Sequence, residues 1–124
     1  MGNFHEIREQ LGGDNVGPWF VIHKGKSILA LMIREDLNPK IQADPPEVWV
    51  GSEDPLPEWG ETLANDTGPI PLYVAEGPGA DYILKGTYEI SPEEATPEYH
   101  EEVKSKAPRG LSRIVYLLPA KKAV

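Results

Sequence analysis

Proline and glycine punctuate this chain so densely that no long helix or long strand fits between them. Thirteen prolines and twelve glycines fall within 124 residues. Proline removes a backbone donor and fixes φ, and glycine weakens element interiors, so the spacing favours several short elements joined by turns over a helical bundle. A chain of this length can still bury roughly two thirds of its unfolded surface, enough for one core without covalent staples. One domain over residues 1–124 is therefore expected.

Hydrophobic periodicity fills in the elements. "NFHEIREQLGG" sets Phe4, Ile7 and Leu11 at helical spacing, with Gly12-Gly13 as the stop. "PWFVIHKG" alternates as a strand, with Trp19, Val21 and His23 on one face and Phe20, Ile22 and Lys24 on the other. A turn at Gly25-Lys26 leads into "SILALMIRED", apolar on both faces as a central strand is, and the two strands are expected to pair as a hairpin. "LNPKIQADPPE" reads as a loop, and "EVWVG" as a short strand with Val48 and Val50 opposite Trp49. In "PEWGETLAND", Pro57 suits a first helical turn, Glu58 and Glu61 suit its positive end, and Trp59 and Leu63 share a face. Gly60 costs that helix about 1 kcal/mol relative to alanine, so packing must hold it.

"TGPIP" turns into the strand "LYVAEG", in which Leu72 and Val74 oppose Tyr73, and "GPGAD" is a hairpin loop. The return strand "YILKGTYEI" aligns Tyr82, Leu84, Gly86, Tyr88 and Ile90, with a bulge or close approach expected at Gly86. Two cap signatures, Ser91-Pro92 and Thr96-Pro97, precede a helix that "APRG" ends, and "LSRIVYLLP" is a last strand. About six strands and three short helices, with hairpins dominant, predict an α+β domain on a small, strongly curved antiparallel sheet or barrel.

Charge divides the chain. The net charge is −8, but residues 1–103 carry six basic side chains against all twenty acids, a balance of −14, while residues 104–124 hold six basic side chains and no acid. Broad electrostatic adhesion to nucleic acid is disfavoured by that acidity, whereas Lys104, Lys106, Arg109 and Arg113 leave a localised phosphate contact open beside the alternative of a solubilising tail. The absence of cysteine excludes disulfides, thiolate nucleophiles and zinc ribbons. "MGNFHEIREQ" carries neither a signal-peptide pattern nor a good myristoylation site, and "ILALMI" is too short to span a bilayer, so a cytoplasmic chain without membrane contact is expected.

Catalytic signatures are missing. His5 and Glu9 lie four apart but lack further ligands, so no metal or other cofactor is expected. The one E-x-K, Glu102-Val103-Lys104, falls on a helix rather than on nuclease strands. "GSEDP", with Glu58 and Glu61 beyond it, lacks calcium-loop spacing and reads as a solvated acidic loop. His23 suits a half-buried packing role. No nucleophile elbow, Walker loop or dinucleotide fingerprint occurs, and an enzyme is not expected.

The aromatic residues say more. Trp49, Tyr73, Tyr82 and Tyr88 fall on strands, with Trp59 close behind Trp49. Strand aromatics usually pack a core. A small barrel has one interior, however, and the valines and leucines already claim it, so one aromatic set belongs outside, under a helix or along a cleft. Asn65, Asp66 and Thr67 supply hydrogen-bonding neighbours for a planar ligand.

The run "EVWVG…WGETLAND-TGPIPLYV…YILKGTYEI…LSRIVYL", over residues 47–118, resembles small base-reading barrels of the PUA-like superfamily, and in particular the SRA-like modules of modification-dependent restriction systems. The shared features are a Trp-bearing strand, a small helix, a strand before a variable hairpin loop, a Y-x-x-x-G-x-Y-x-I strand and a late S-R-I-V strand. The resemblance implies a curved barrel that binds DNA or RNA and takes a modified or flipped base between aromatic rings. On that basis Trp49, Tyr73 and Tyr82 are pocket candidates, Asn65 and Asp66 base-edge partners, and Arg109 and Arg113 phosphate contacts. The acidity of residues 1–103 keeps open a different function, an acidic module that meets a basic protein partner, binds a small ligand or mimics DNA. Under the base-reading expectation, duplex binding falls steeply with salt and drops on Arg113→Ala, as a filter-binding or anisotropy titration would register.

Overall fold

The computed structural model describes residues 2–66 and 68–120; Thr67, Lys121 and Lys122 lie outside the described residues. Three helices and six strands alternate as α1 (Phe4–Leu11), β1 (Val21–Lys24), β2 (Ser27–Arg34), β3 (Glu47–Val50), α2 (Leu56–Ala64), β4 (Ile70–Ala75), β5 (Ile83–Ile90), α3 (Pro97–Lys104) and β6 (Arg113–Pro119), with a 3-10 turn at Pro39–Gln42 inside the expected loop. The strands form one curled sheet, a half-barrel, in the order β1-β2-β4-β5-β6-β3.

Local chemistry sets the helix ends. Asn3 and Glu6 form a reciprocal capping box at the start of α1, and Gly12 closes it in the left-handed conformation. Thr96 caps α3 by accepting the Tyr99 N–H, whereas Ser91 accepts the Glu93 N–H in a turn and starts no helix. Of the two cap signatures only the second has enough helix-forming residues after it before a break.

The sheet departs from the antiparallel expectation at one place. β1 and β2 form the expected hairpin, but β2 and β4 run parallel, with Leu31 opposite Leu72 and Ile33 opposite Val74. The connection between them is the whole segment from Glu35 to Pro69, long enough for the crossover that a parallel pair requires. It carries β3 to the far edge of the sheet, where it pairs antiparallel with β6. A strand apolar on both faces, as β2 is, needs cover on both sides: the inner core takes Leu31 and Ile33, and α1 covers Ala30 and Met32.

Inside the curl, one core joins Val21, Leu31, Ile33, Val48, Val50, Leu63, Ile70, Leu72, Val74, Val115 and Leu117. Gly60 lets α2 lie close on β3, since a Cβ there would come within 2.7 Å of the Val50 side chain. Two smaller clusters cover the outer face. Under α1, Phe4 and Ile7 pack with Ile22, Ala30, Met32, Ala75 and Tyr82. Beside α3, Val103, Leu111 and Ile114 gather Trp49, Tyr99 and Tyr116.

β5 corrects one expected alignment. A bulge shifts its pairing with β4, so that Leu72 faces Gly86 and Tyr73 faces Leu84, and Gly86 takes a φ of +142° that side chains other than glycine rarely adopt. One extra residue reverses the alternation: Tyr88 and Ile90 pack on the inner core, Tyr82 on the outer cluster, and Leu84 is exposed.

The free edge of β3 is closed by a side chain. Pro46 and Val50 direct their carbonyls at β6, where they accept from the Leu117 and Ser112 N–H groups. Glu47 and Trp49 turn their backbone groups the other way, onto Asn38: its Nδ2 donates to the Glu47 carbonyl and its Oδ1 accepts the Trp49 N–H, each at 2.6 Å. Asn38 is buried and sits in a turn hydrogen-bonded to the end of β2. Its amide thus does for β3 what a neighbouring strand would do. Asn38→Ala is expected to cost about 3 kcal/mol, because two buried backbone groups lose their partner, and Asn38→Asp to cost a similar amount by setting a carboxylate against the Glu47 carbonyl; urea unfolding midpoints of the three proteins test this.

Candidate functional site

The two outer clusters do not meet, and the gap between them is a cleft of about 590 Å³. One wall comes from the α1 side: Gly17, Pro18 and Trp19 before β1, with Met32, Arg34 and Tyr82. The other comes from the α3 side: Trp49, Ala107, Pro108 and Arg109. Asn38 and the segment Asp54–Leu56 also belong to the lining. Trp49 reaches this cleft because strand alternation puts Val48 and Val50 in the inner core and Trp49 on the outer face.

Trp49 is held by a buried carboxylate. Its Nε1–H donates to Glu47 Oε1 at 3.1 Å, and the Tyr99 hydroxyl donates to the two oxygens of Glu47 at 2.8 and 3.0 Å. Glu47 is buried, so these donors replace the water its charge has lost. Burial, together with the hydrogen bond to Glu47, pushes the Tyr99 phenol well above its ordinary range, and burial with the charges of Glu47 and Glu93 raises Tyr116 in the same direction. One face of Trp49 is thereby fixed while its ring borders the cleft.

Tyr82 forms the opposing part of the site. The residue is 8% exposed and packs under α1, yet its hydroxyl has no hydrogen-bond partner among the described residues and no buried side-chain polar atom is left unsatisfied, so that hydroxyl reaches solvent on a residue that lines the cleft. Burial raises its pKa above the usual phenol value, with Arg34 pulling the other way, so it carries its proton at neutral pH and can donate. Arg34 is engaged in a forked contact with Asp36, at 2.6 and 3.1 Å, which holds the Asp36 carboxyl below its ordinary range. Arg109, also in the lining, is exposed and makes no ion pair among the described residues. Trp19, 65% exposed, stands edge-on to Phe4 and His5 with ring centroids 5.0 and 5.6 Å away.

Three of the residues singled out from the sequence therefore share this cleft: Trp49, Tyr82 and Arg109. The others do not. Tyr73 packs beside the cluster under α1. Asn65 donates to the Glu61 carbonyl at the end of α2, and Asp66 accepts the Gly68 N–H in a tight turn. Arg113 lines a separate recess with His100, Ser91 and Glu93. Lys104 is exposed on α3, and Lys106 pairs with Glu102 at 3.6 Å. Of the wider aromatic set, Tyr88 and Trp59 border the inner core.

Sequence inspection overlooked Trp19, Arg34, Asn38, Asp54 and Glu47. Two of them left a signal: Arg34 is a charge at the end of the apolar run of β2, and Glu47 is a charge opening a strand of otherwise apolar residues. Among the described residues no group of three or more His, Asp or Glu side chains is placed to hold a metal ion, and no helix is long and apolar enough to cross a membrane. Comparison with protein-family models, with curated proteins and with solved structures finds no match.

Tyr99 gives the site a pH signature. An unfolded tyrosine titrates near pH 10, and the folded phenol holds its proton more tightly, so this contribution to stability is complete below about pH 10 and is lost as the pH climbs beyond it. Tyr99→Phe is expected to lower stability at neutral pH by about 2 kcal/mol, the usual worth of a hydrogen bond to a charged group, and to remove part of the alkaline loss. Urea midpoints measured at pH 7 and near pH 11 separate the two effects.

Proposed function

We propose that the protein recognises a planar heteroaromatic group, in the first place a base presented by a nucleic-acid strand, in the cleft between Trp19, Trp49 and Tyr82, with Arg109 taking an adjoining phosphate. The observation that carries this is the Tyr82 hydroxyl, the polar tip of a nine-tenths buried residue in the cleft lining, which reaches solvent without a protein partner among the described residues. A water-accessible phenol can exchange its solvent partner for an acceptor on a ligand, which adds direction to the contact. Around it stand flat apolar surfaces for stacking, and the cleft has the volume of ordinary small-ligand sites. A half-barrel that displays aromatic residues on its outer face also accords with the PUA-like, SRA-like resemblance, for which a modified DNA base is the finer expectation; a cytoplasmic setting is the expectation from the N-terminal sequence. No set of side chains in the cleft forms a nucleophile and base pair, so recognition rather than turnover is the role assigned.

The test is oligonucleotide binding at low salt, single-stranded and duplex, with plain and modified bases. Arg109→Ala is expected to weaken binding roughly tenfold for every sequence and to flatten the salt dependence by about one phosphate's worth. Tyr82→Phe is expected to weaken binding about fivefold or more, only for bases that present an acceptor, and to leave the salt slope unchanged. Absence of binding to any oligonucleotide or free nucleotide would remove the proposal.

A second role draws on a separate observation. Among the described residues only three acids lie within ion-pair distance of a basic group, Asp14, Asp36 and Glu102, so most of the twenty carboxylates are unpaired. That surface suits a basic protein partner, which co-purification at low salt would reveal and which high salt would release.

A further inference from the structure

His23 is buried on β1, and both of its ring nitrogens face carbonyl oxygens. Nδ1 lies 2.8 Å from the Gly25 carbonyl and Nε2 lies 2.6 Å from the Val16 carbonyl. A carbonyl oxygen only accepts. A neutral imidazole carries one N–H, so it would satisfy one of these oxygens and turn a lone pair on the other; imidazolium donates to both. Groups that interact with a cation also lie beside the ring. Asp14 Oδ2 lies 3.8 Å from Nδ1 and itself accepts the Gly25 N–H at 2.7 Å. The Trp59 ring lies against the imidazole with centroids 4.3 Å apart and planes 41° from parallel, within cation–π range. The remaining charged groups nearby are His5 and Arg8 of α1, which line the same recess, Lys24 and Lys26 on the hairpin, and Glu58 of α2 beside Trp59.

The Val16 contact leads directly to the cleft. Gly17, Pro18 and Trp19 follow Val16 and form one wall of it. A Cβ at Gly17 would run into His23 Nε2, so the segment is shaped to lie against the ring. The same segment is otherwise tied down by the Asp14 N–H on the His23 carbonyl, at 2.7 Å, and by the aromatic contacts of Trp19.

We propose that His23 is a protonation-dependent latch on the cleft wall. As imidazolium it ties Val16 to the β1–β2 turn; when the proton leaves, one of the two carbonyls loses its donor and the Asp14–Trp19 segment loosens, moving Trp19 at the mouth of the site. This assigns a regulation to the cleft and rests on the recognition role proposed above, but the latch itself is measurable without ligand.

The experiment follows the ligand-free protein by NMR from about pH 5.5 to about pH 8.5, the range over which histidine charge ordinarily changes. Histidine ring nitrogens, the Trp19 indole signal and amide protection factors corrected for intrinsic exchange are recorded together. At the acid end both His23 nitrogens should carry protons. As one proton is lost, protection of the Asp14 and Gly25 amides should fall about tenfold while amides in the centre of β4 hold, as expected of local rather than global opening. His23→Phe should keep a ring against Trp59 and abolish the pH dependence. A bare His23 nitrogen at the acid end, a pH-independent Asp14–Trp19 segment in the parent protein, or a transition that persists in His23→Phe would each overturn the latch. Failure of oligonucleotide binding would count against the base-reading role and leave these signals unchanged.

Discussion

The closure of β3 by the Asn38 amide is the contact on which the outer face depends. An edge strand four residues long, paired on one side only, is a weak element and an open template for other chains. Two hydrogen bonds from one planar side chain complete it without a seventh strand. Because Asn38 sits in a turn at the end of β2, the same contact ties the two remote parts of the sheet together. The cleft lies at this junction, with Asn38 in its lining, so the positions of Trp49 and Arg34 relative to each other follow from how the half-barrel is pinned.

A curled sheet with one filled interior leaves its convex face to be covered piecemeal. Two short helices do that here, and each covers one patch. A single long helix would have sealed the face; the density of prolines and glycines rules one out. The uncovered ground between α1 and α3 is then lined by whatever side chains alternation sends outward, and those are the aromatic partners of inward-facing valines and leucines. Glu47 adds rigidity by accepting from Trp49 and Tyr99 at once. A buried carboxylate needs such donors for its own sake, and in meeting that need it fixes the orientation of a cleft residue.

Much of this was legible in the residues, and the omissions have physical causes. Alternation in "EVWVG" and "LYVAEG" put Trp49 and Tyr73 on the outer face, and the glycine inside "YILKGTYEI" marked the bulge. Plain alternation aligns Tyr82 with Tyr88, but the one added residue of the bulge sends them to opposite sides. The parallel β2–β4 pair was missed because hairpin signals are local, whereas a parallel pairing across a 35-residue crossover has no local turn chemistry to announce it. Asn38 looked like an ordinary turn residue before proline; nothing in "LNP" tells that its amide will meet a strand nine residues on. Arg109 and Arg113 are close in sequence but separated by the start of β6, which sends them to different recesses.

Electrostatics then decides what kind of binding the cleft can support. A duplex reader that relies on phosphate neutralisation needs several cations on one surface, each adding a counterion's worth of salt dependence. The cleft has two, and Arg34 is already forked onto Asp36, which leaves Arg109 with Asp54 also in the lining. Lys106 is paired with Glu102, and Arg113 faces another recess. At physiological salt charges more than about 8 Å apart are largely screened, so the dispersed acids neither prevent a local contact nor supply attraction for it. Stacking on an aromatic platform is worth about 1–3 kcal/mol per base and does not depend on net charge. Under the proposed base recognition, affinity in this cleft would therefore come mainly from stacking and from a hydrogen bond of Tyr82, with Arg109 setting orientation. That ordering favours a base already extruded or single-stranded over one still paired in a duplex, because a single cation contributes little towards opening the stack.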